Sequence, residues 1–245
     1  HRDLHSFPTR RSSDLLIQEA KDRIAKEPNN LNFHRALARL YSQNKRYDEA
    51  VLALEEARKV NATDPELDRA LTAAKISAFE AKIDALKASG DAAGAQNLEV
   101  EMNQFAFDDL VSRVQRYPND LKLRFELGLQ YFKYEYFDDA IGQLQLAQRS
   151  PKERVESLYY LAKCFAKKGQ RDMAVMQLET ANEQLSIMDD LKKKIVFELG
   201  CMAEESGDIE KAFGYYKDVY GADIGFEDIG ARMERIYKLR QSQQG

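Results

Sequence analysis

Apolar side chains recur along this chain at intervals of three and four residues, with small residues held at fixed places among them. In YLAKCFAKKGQRDMAVMQLETA (160–181), Leu161-Ala162 is followed by Phe165, Ala174, Leu178 and Ala181. ELGLQYFKYEYFDDAIGQLQLA (126–147) repeats the spacing as Leu127-Gly128, Tyr131, Ala140, Leu144 and Ala147. It recurs upstream as Leu37-Ala38, Tyr41, Ala50, Leu54 and Ala57, and downstream as Leu199-Gly200, Ala203, Ala212, Tyr216 and Val219. Spacing of three and four places these residues on one helical face. Each copy therefore predicts two short helices packed face to face. Leu127 and Leu161 are 34 residues apart, whereas Leu161 and Leu199 are 38 apart, which predicts a four-residue insertion around SIMD (186–189).

The small residues mark where two helices cross closely, and a larger side chain there overpacks the crossing at about 1–3 kcal/mol. Between paired helices, Gly169 and Gly207 suit the left-handed conformation that ends a helix, and Asp208 suits a cap for the next one. Lys45 and Glu135 stand at the same places in the other two copies, so those turns are expected to be built differently. Pro28 and Pro118, in EPNN and YPND, close the helices before Leu31 and Leu121.

The middle of the chain breaks the period. PELDRALTAAKISAFEAKIDALKAS (65–89) and AGAQNLEVEMNQFAFDDLVSRVQRY (93–117) each read as one long helix, parted at Gly90. At a rise of about 1.5 Å per residue each arm spans about 35 Å. The expectation is a stretched antiparallel hairpin over 65–118 whose tip projects past the short helices; a degenerate repeat with an inserted turn is the alternative.

The four copies resemble the tetratricopeptide repeat, a 34-residue helix-turn-helix unit. They run at 31–64, 121–154, 155–188 and 193–226, with a lone helix at 16–27 that looks like the second half of a further unit. No copy has the repeat's usual first-helix tryptophan; His34, Arg124, Leu158 and Val196 stand there instead. The resemblance implies an all-α, tetratricopeptide-like solenoid with a long helical hairpin inserted near its middle. Its parts are N-terminal repeat helices at 16–64, the hairpin at 65–118, three repeats at 119–226, and a C-terminal capping helix and tail at 227–245. That last helix carries Ile229, Met233, Ile236 and Tyr237 at helical spacing, and the terminal QSQQG is expected to fray. The resemblance also implies a concave face lined by the first helix of each pair. The candidate groove residues there are Lys122, Phe125, Leu129, Phe132, Tyr159, Lys163 and Phe197. An apolar groove flanked by Lys122, Lys163 and Lys194 suits a peptide or helix with hydrophobic anchors. The Lys/Asn/Arg clamp that chaperone-tail-binding members use for a terminal carboxylate is missing from these places.

Composition narrows the classes. With 37 Lys and Arg against 41 Asp and Glu the chain is mildly acidic, which argues against a nucleic-acid partner. No apolar run approaches the length of about 18 that a membrane span needs. Cys164 and Cys201 form neither a disulfide framework nor a metal motif, which points to a reducing, cytoplasmic setting. The opening HRDLHSFPTRRSSDL (1–15) is similar to the translation of a common short-read sequencing adapter, and is set aside as a scar expected to pack little against the repeats. Setting it aside leaves 34 basic and 39 acidic residues, a net of −5, with His34 the one remaining histidine. A lone histidine inside a repeat helix is a structural residue first, and the acidic pairs Asp108-Asp109, Asp138-Asp139 and Asp189-Asp190 suit helix starts or solvated faces. No catalytic, cofactor or metal constellation is present in the pattern. The expectation is a non-catalytic scaffold that binds a protein or peptide, with its oligomeric state open. The alternatives are a regulatory segment of a larger enzyme and the soluble part of a membrane-anchored assembly factor.

Overall fold

The computed structural model describes residues 10–244, with side chains from Ser13 to Ser242. Among the described residues the chain forms twelve α-helices and no strand, in two compact units that divide after Tyr117. The first unit holds α1 (Arg10–Lys26), α2 (Leu31–Gln43), α3 (Tyr47–Val60), α4 (Pro65–Ala88) and α5 (Ala92–Arg116). The second holds α6 (Leu121–Lys133), α7 (Phe137–Ala147), α8 (Arg154–Lys167), α9 (Arg171–Glu183), α10 (Asp190–Glu205), α11 (Ile209–Ala222) and α12 (Ile229–Gln244). Within each unit every helix packs on the next in sequence.

Local sequence sets the helix ends. Asp64 accepts from the amides of Glu66 and Leu67 at 2.9 and 3.1 Å, ahead of Pro65 in the first turn of α4. Asp120, Asp189 and Asp208 cap α6, α10 and α11 in the same way. Each cap satisfies amides that the helix itself leaves unpaired. α1 begins at Arg10 rather than Leu16, so it takes in six residues of the adapter-like opening; no Gly or Pro interrupts RRSSDL. Ser13 is buried and Asp14 lies 3.6 Å from Arg46, while Leu15 is exposed. Residues 1–9 lie outside the described residues.

The turns inside the repeats correct one expectation. Lys45 and Glu135 adopt φ of 58° and 63°, beside 74° and 79° for Gly169 and Gly207. All four turns close alike. The amide after the left-handed residue reaches the carbonyl five positions back, as Arg46 to Tyr41 and Gln170 to Phe165, each at 2.9 Å. Paired helices impose this closure on whatever residue occupies the turn, and the two non-glycine residues carry the strain.

The motif positions form the cores. Ala50 and Ala57 are fully buried with Leu37 and Leu54 in the first unit, as are Ala140, Ala147, Ala174, Ala181 and Ala212 in the second. A Cβ on Gly128 would stand 2.8 Å from Leu144, and one on Gly200 would stand 2.5 Å from the Tyr216 ring. The 38-residue spacing is built otherwise than expected. The α7–α8 and α9–α10 connections are both six residues, 148–153 and 184–189. The extra four residues are helix: α9 has 13 residues against 11 in α7, and Leu199 is the tenth residue of α10 where Leu161 is the eighth of α8.

In the first unit α4 and α5, of 24 and 25 residues, pair antiparallel: Lys87 meets Glu99 at 2.6 Å and the Phe79 and Phe105 ring centroids lie 5.9 Å apart. A polar cluster closes the other end. The Asp68 carboxylate, 2% exposed, accepts from Tyr117 Oη at 2.7 Å and pairs with Arg116 at 3.1 Å. Beside it, Asp109 accepts from Thr72 at 2.7 Å and Arg113 at 2.8 Å. Asp109 is thus an interior residue of α5 rather than a helix start; Asp138 and Asp190 do fall in first turns. Burial and the facing Asp68 carboxylate push the Tyr117 hydroxyl up to about 12.

At the C-terminus Ile229 and Ile236 are fully buried on α12, and Met233 packs beside them. Tyr237, expected on the same face, is 52% exposed, because one further residue turns it about 100° round the helix. α12 continues to Gln244, through residues expected to fray. Among the described residues no helix is long and apolar enough to cross a membrane.

Candidate functional site

The first helices of the second unit, α6, α8 and α10, carry all seven candidate groove residues. On α6, Lys122 is exposed and 3.8 Å from Glu126, and Leu129 is half-buried. Phe125 and Phe132, also half-buried, pack on the main core of the unit. Phe132 meets Phe137 at 6.0 Å and crosses to Tyr160 on α8 at 5.4 Å, edge to face. Such pairs add about 0.5–1.5 kcal/mol beyond the area they bury.

Tyr159 is a core residue, contrary to the expectation of an open groove position. It is 9% exposed, meets Tyr160 edge to face at 5.4 Å, and has Lys163 Nζ 5.5 Å from its ring centre. Burial raises its hydroxyl pKa. Tyr159 belongs to the main core cluster of the unit. Lys163 bridges to Glu198 on α10 at 3.3 Å; burial opposes the ammonium, but Glu198 and Tyr159 together raise its pKa. Phe197 stands apart from the others. It belongs to the C-terminal cluster, 6.0 Å from Tyr216, 5.6 Å from Phe226, and under the Arg232 guanidinium at 5.2 Å. Tyr216 in turn donates to Glu204 at 2.7 Å and accepts from Arg232 at 3.0 Å.

Between α8 and α10 lies a cleft of about 600 Å³. Lys163 lines it, and so do Ala166 and Cys201, which share the register of the groove. Glu198, Met202 and Arg171 line it too and lie outside the groove register: Glu198 and Met202 stand at α10 positions next to the expected Phe197 and Cys201, and Arg171 comes from the start of α9. Burial raises the pKa of both thiols, that of Cys164 to about 11, so neither is an activated nucleophile. His34 is buried and donates from Nε2 to the Pro28 carbonyl at 2.7 Å, tying α2 to the turn before it. Among the described residues no three His, Cys, Asp or Glu side chains come together as a metal site.

The family model for the tetratricopeptide repeat matches residues 18–74. The chain is 26% identical over 148 residues to Tetratricopeptide repeat protein 14 of Mus musculus; the match takes in 58% of this chain and 19% of that protein's length. Among solved structures it is similar to YrrB, described as a tetratricopeptide protein with an unusual peptide-binding site, at TM-score 0.59 and 15% identity over 89% of this chain and 99% of that one. PilF of Pseudomonas aeruginosa matches at TM-score 0.56 and 13% identity, over 92% of this chain and 87% of that one. At such identities the likeness is one of fold.

Proposed function

We propose a function from one premise: the chain is a tetratricopeptide-repeat protein. As a helical repeat array it is a scaffold for protein interaction. Its peptide-binding surface is the face of the second unit built by α6 and α8, and the bound segment is a peptide or helix with hydrophobic anchors. A single observation carries this reading. Lys122, Phe125, Leu129 and Phe132 form a partly exposed, mainly apolar strip on α6, and Lys163, at the place of Leu129 one repeat on, lines a cleft large enough for a side chain. A strip with part-buried aromatic anchors and a charged rim is the usual make-up of a binding hot spot. The peptide-binding site of YrrB favours the same class of ligand.

The test is site-specific photocrosslinking in the full chain. A photoreactive side chain at Leu129 should yield discrete partner adducts, whereas one at Leu52, 61% exposed on α3, should not. Circular dichroism establishes that both variants fold. Adducts of equal yield from both positions would remove the α6–α8 face from consideration.

A further inference from the structure

The cleft between α8 and α10 has a cause in the repeat register. Adjacent first helices meet through matching positions, and at the α6–α8 joint these are filled by Phe132 against Tyr160, ring centres 5.4 Å apart. One repeat on, the place of Phe132 is taken by Ala166, that of Leu129 by Lys163, and that of Tyr160 by Glu198. Two rings and a leucine have become an alanine and an ion pair. The volume the rings fill at one joint is the cleft at the next, with Ala162, Ala166, Cys201 and Met202 on its apolar side. Met202 also lines a second cleft of about 330 Å³, toward α9 and α11, and α9–α10 is the slightest of the neighbouring-helix interfaces in the unit.

The charges are uneven. Lys163 pairs with Glu198 and Arg171 with Glu205 across the opening. Lys167, also on the wall, forms no ion pair among the described residues. The lining therefore holds one cation in excess, beside the empty ring position.

We propose that this cleft is the anchor subsite of the scaffold, and that it takes an aromatic side chain of a partner peptide, flanked by a carboxylate. The ring occupies the place that Phe132 holds at the preceding joint, and the carboxylate meets Lys167. This rests on the groove reading above and adds the chemistry of its ligand. An aromatic anchor in a preformed pocket with a rim charge concentrates binding energy at one point.

The experiment uses the full chain and short fluorescein-labelled Gly/Ser peptides, read by fluorescence anisotropy. One carries a central Phe-Asp pair, a second has Ser for Phe, and a third has Lys for Asp. The Phe-Asp peptide should bind, and each replacement should weaken it about tenfold or more, the effect of removing one well-formed contact. Ala166→Phe restores the sibling side chain and should abolish binding while the melting temperature holds or rises. Lys167→Glu should reverse the preference between the Asp and Lys peptides. Failure of the Phe-Asp peptide to bind, or equal binding by wild type and Ala166→Phe, overturns the proposal. The groove reading is judged separately. A partner first captured through Leu129, whose binding to the chain without the crosslinker is lost on Leu129→Glu yet unaffected by Ala166→Phe, sinks the subsite alone; a partner whose binding is indifferent to both sinks the groove as well.

Discussion

Replacing Gly200 with alanine adds one methyl group where α10 crosses α11 closely. An ideal Cβ at that position stands 2.5 and 2.6 Å from Cε1 and Cδ1 of Tyr216 and 3.2 Å from its Cζ. Carbon atoms in comfortable contact keep about 3.5–4.0 Å, so ring and backbone must part by about 1 Å. The ring has little room to yield. It is fully buried, and its hydroxyl is held between Glu204 and Arg232. Overpacking of this kind costs about 1–3 kcal/mol, and weakening a buried hydrogen bond adds about 1 kcal/mol. Alanine returns about 0.5–1 kcal/mol through helix propensity. The expected net loss is about 2 kcal/mol, or about 4–8 °C in melting temperature at this chain length. Gly128→Ala meets Leu144 at 2.8 Å, an aliphatic chain that can change rotamer, and should lose about half as much. Gly142 and Gly214 lie in exposed helix with nothing within 4 Å of a new Cβ, so alanine there should stabilise by about 0.5–1 kcal/mol. Calorimetry or chemical denaturation of the four variants gives the comparison. If Gly200→Ala melts at or above the wild type, the close-crossing argument is wrong.

Three further outcomes follow from the same structure. Lys45→Gly and Glu135→Gly relieve a left-handed strain of about 1–2 kcal/mol against a chain-entropy cost of about 0.5–1 kcal/mol, so each should be neutral to about 1 kcal/mol stabilising in urea denaturation; a clear loss at both would contradict the shared turn geometry. The Lys193 ammonium holds the Asp223 carboxyl below its ordinary value of 3.8, so that bond contributes above this value and is lost as pH falls through the lowered one. Asp223→Asn should therefore melt below the wild type at neutral pH, with the gap closing beneath about pH 3.8; a gap unchanged in acid would exclude the ion pair as its source. Alkylation at pH 8 followed by mass spectrometry should find half-buried Cys201 modified slowly and fully buried Cys164 only in denaturant, its thiol being pushed up to about 11; equal rates would show that α8 opens.

The helices were legible because each repeat writes its core twice, once in the large residues and once in the small ones that let helices touch. Leu161, Ala174 and Leu178 can be read as core without coordinates, and they are buried. The turns at Lys45 and Glu135 were misjudged because local propensity favours glycine there, whereas the packing of two helices dictates the backbone whatever the residue. Tyr159 was misplaced for a related reason: register identifies a helix face but not how deeply each position on it is buried. The Asp68–Tyr117 bond spans 49 positions and has no periodic signal, so nothing in the pattern could announce it. The cleft beside Ala166 was present in the sequence as an alanine standing where a sibling has phenylalanine, and it becomes visible only when the copies are compared as pairs of facing positions.

The buried Asp68 carboxylate bears on a question that apolar packing alone leaves open. α4 is rich in alanine, and a surface of near-equal small side chains tolerates sliding: a shift of one helical turn, about 5.4 Å, would exchange one alanine contact for another at little cost. The same shift would carry Asp68 away from Tyr117 and Arg116 and leave a charge buried without a partner, at about 3–5 kcal/mol. A carboxylate of this kind contributes little net stability while excluding every misaligned pairing of the two longest helices. It works as a ratchet stop, fixing the phase in which α4 and α5 are allowed to zip.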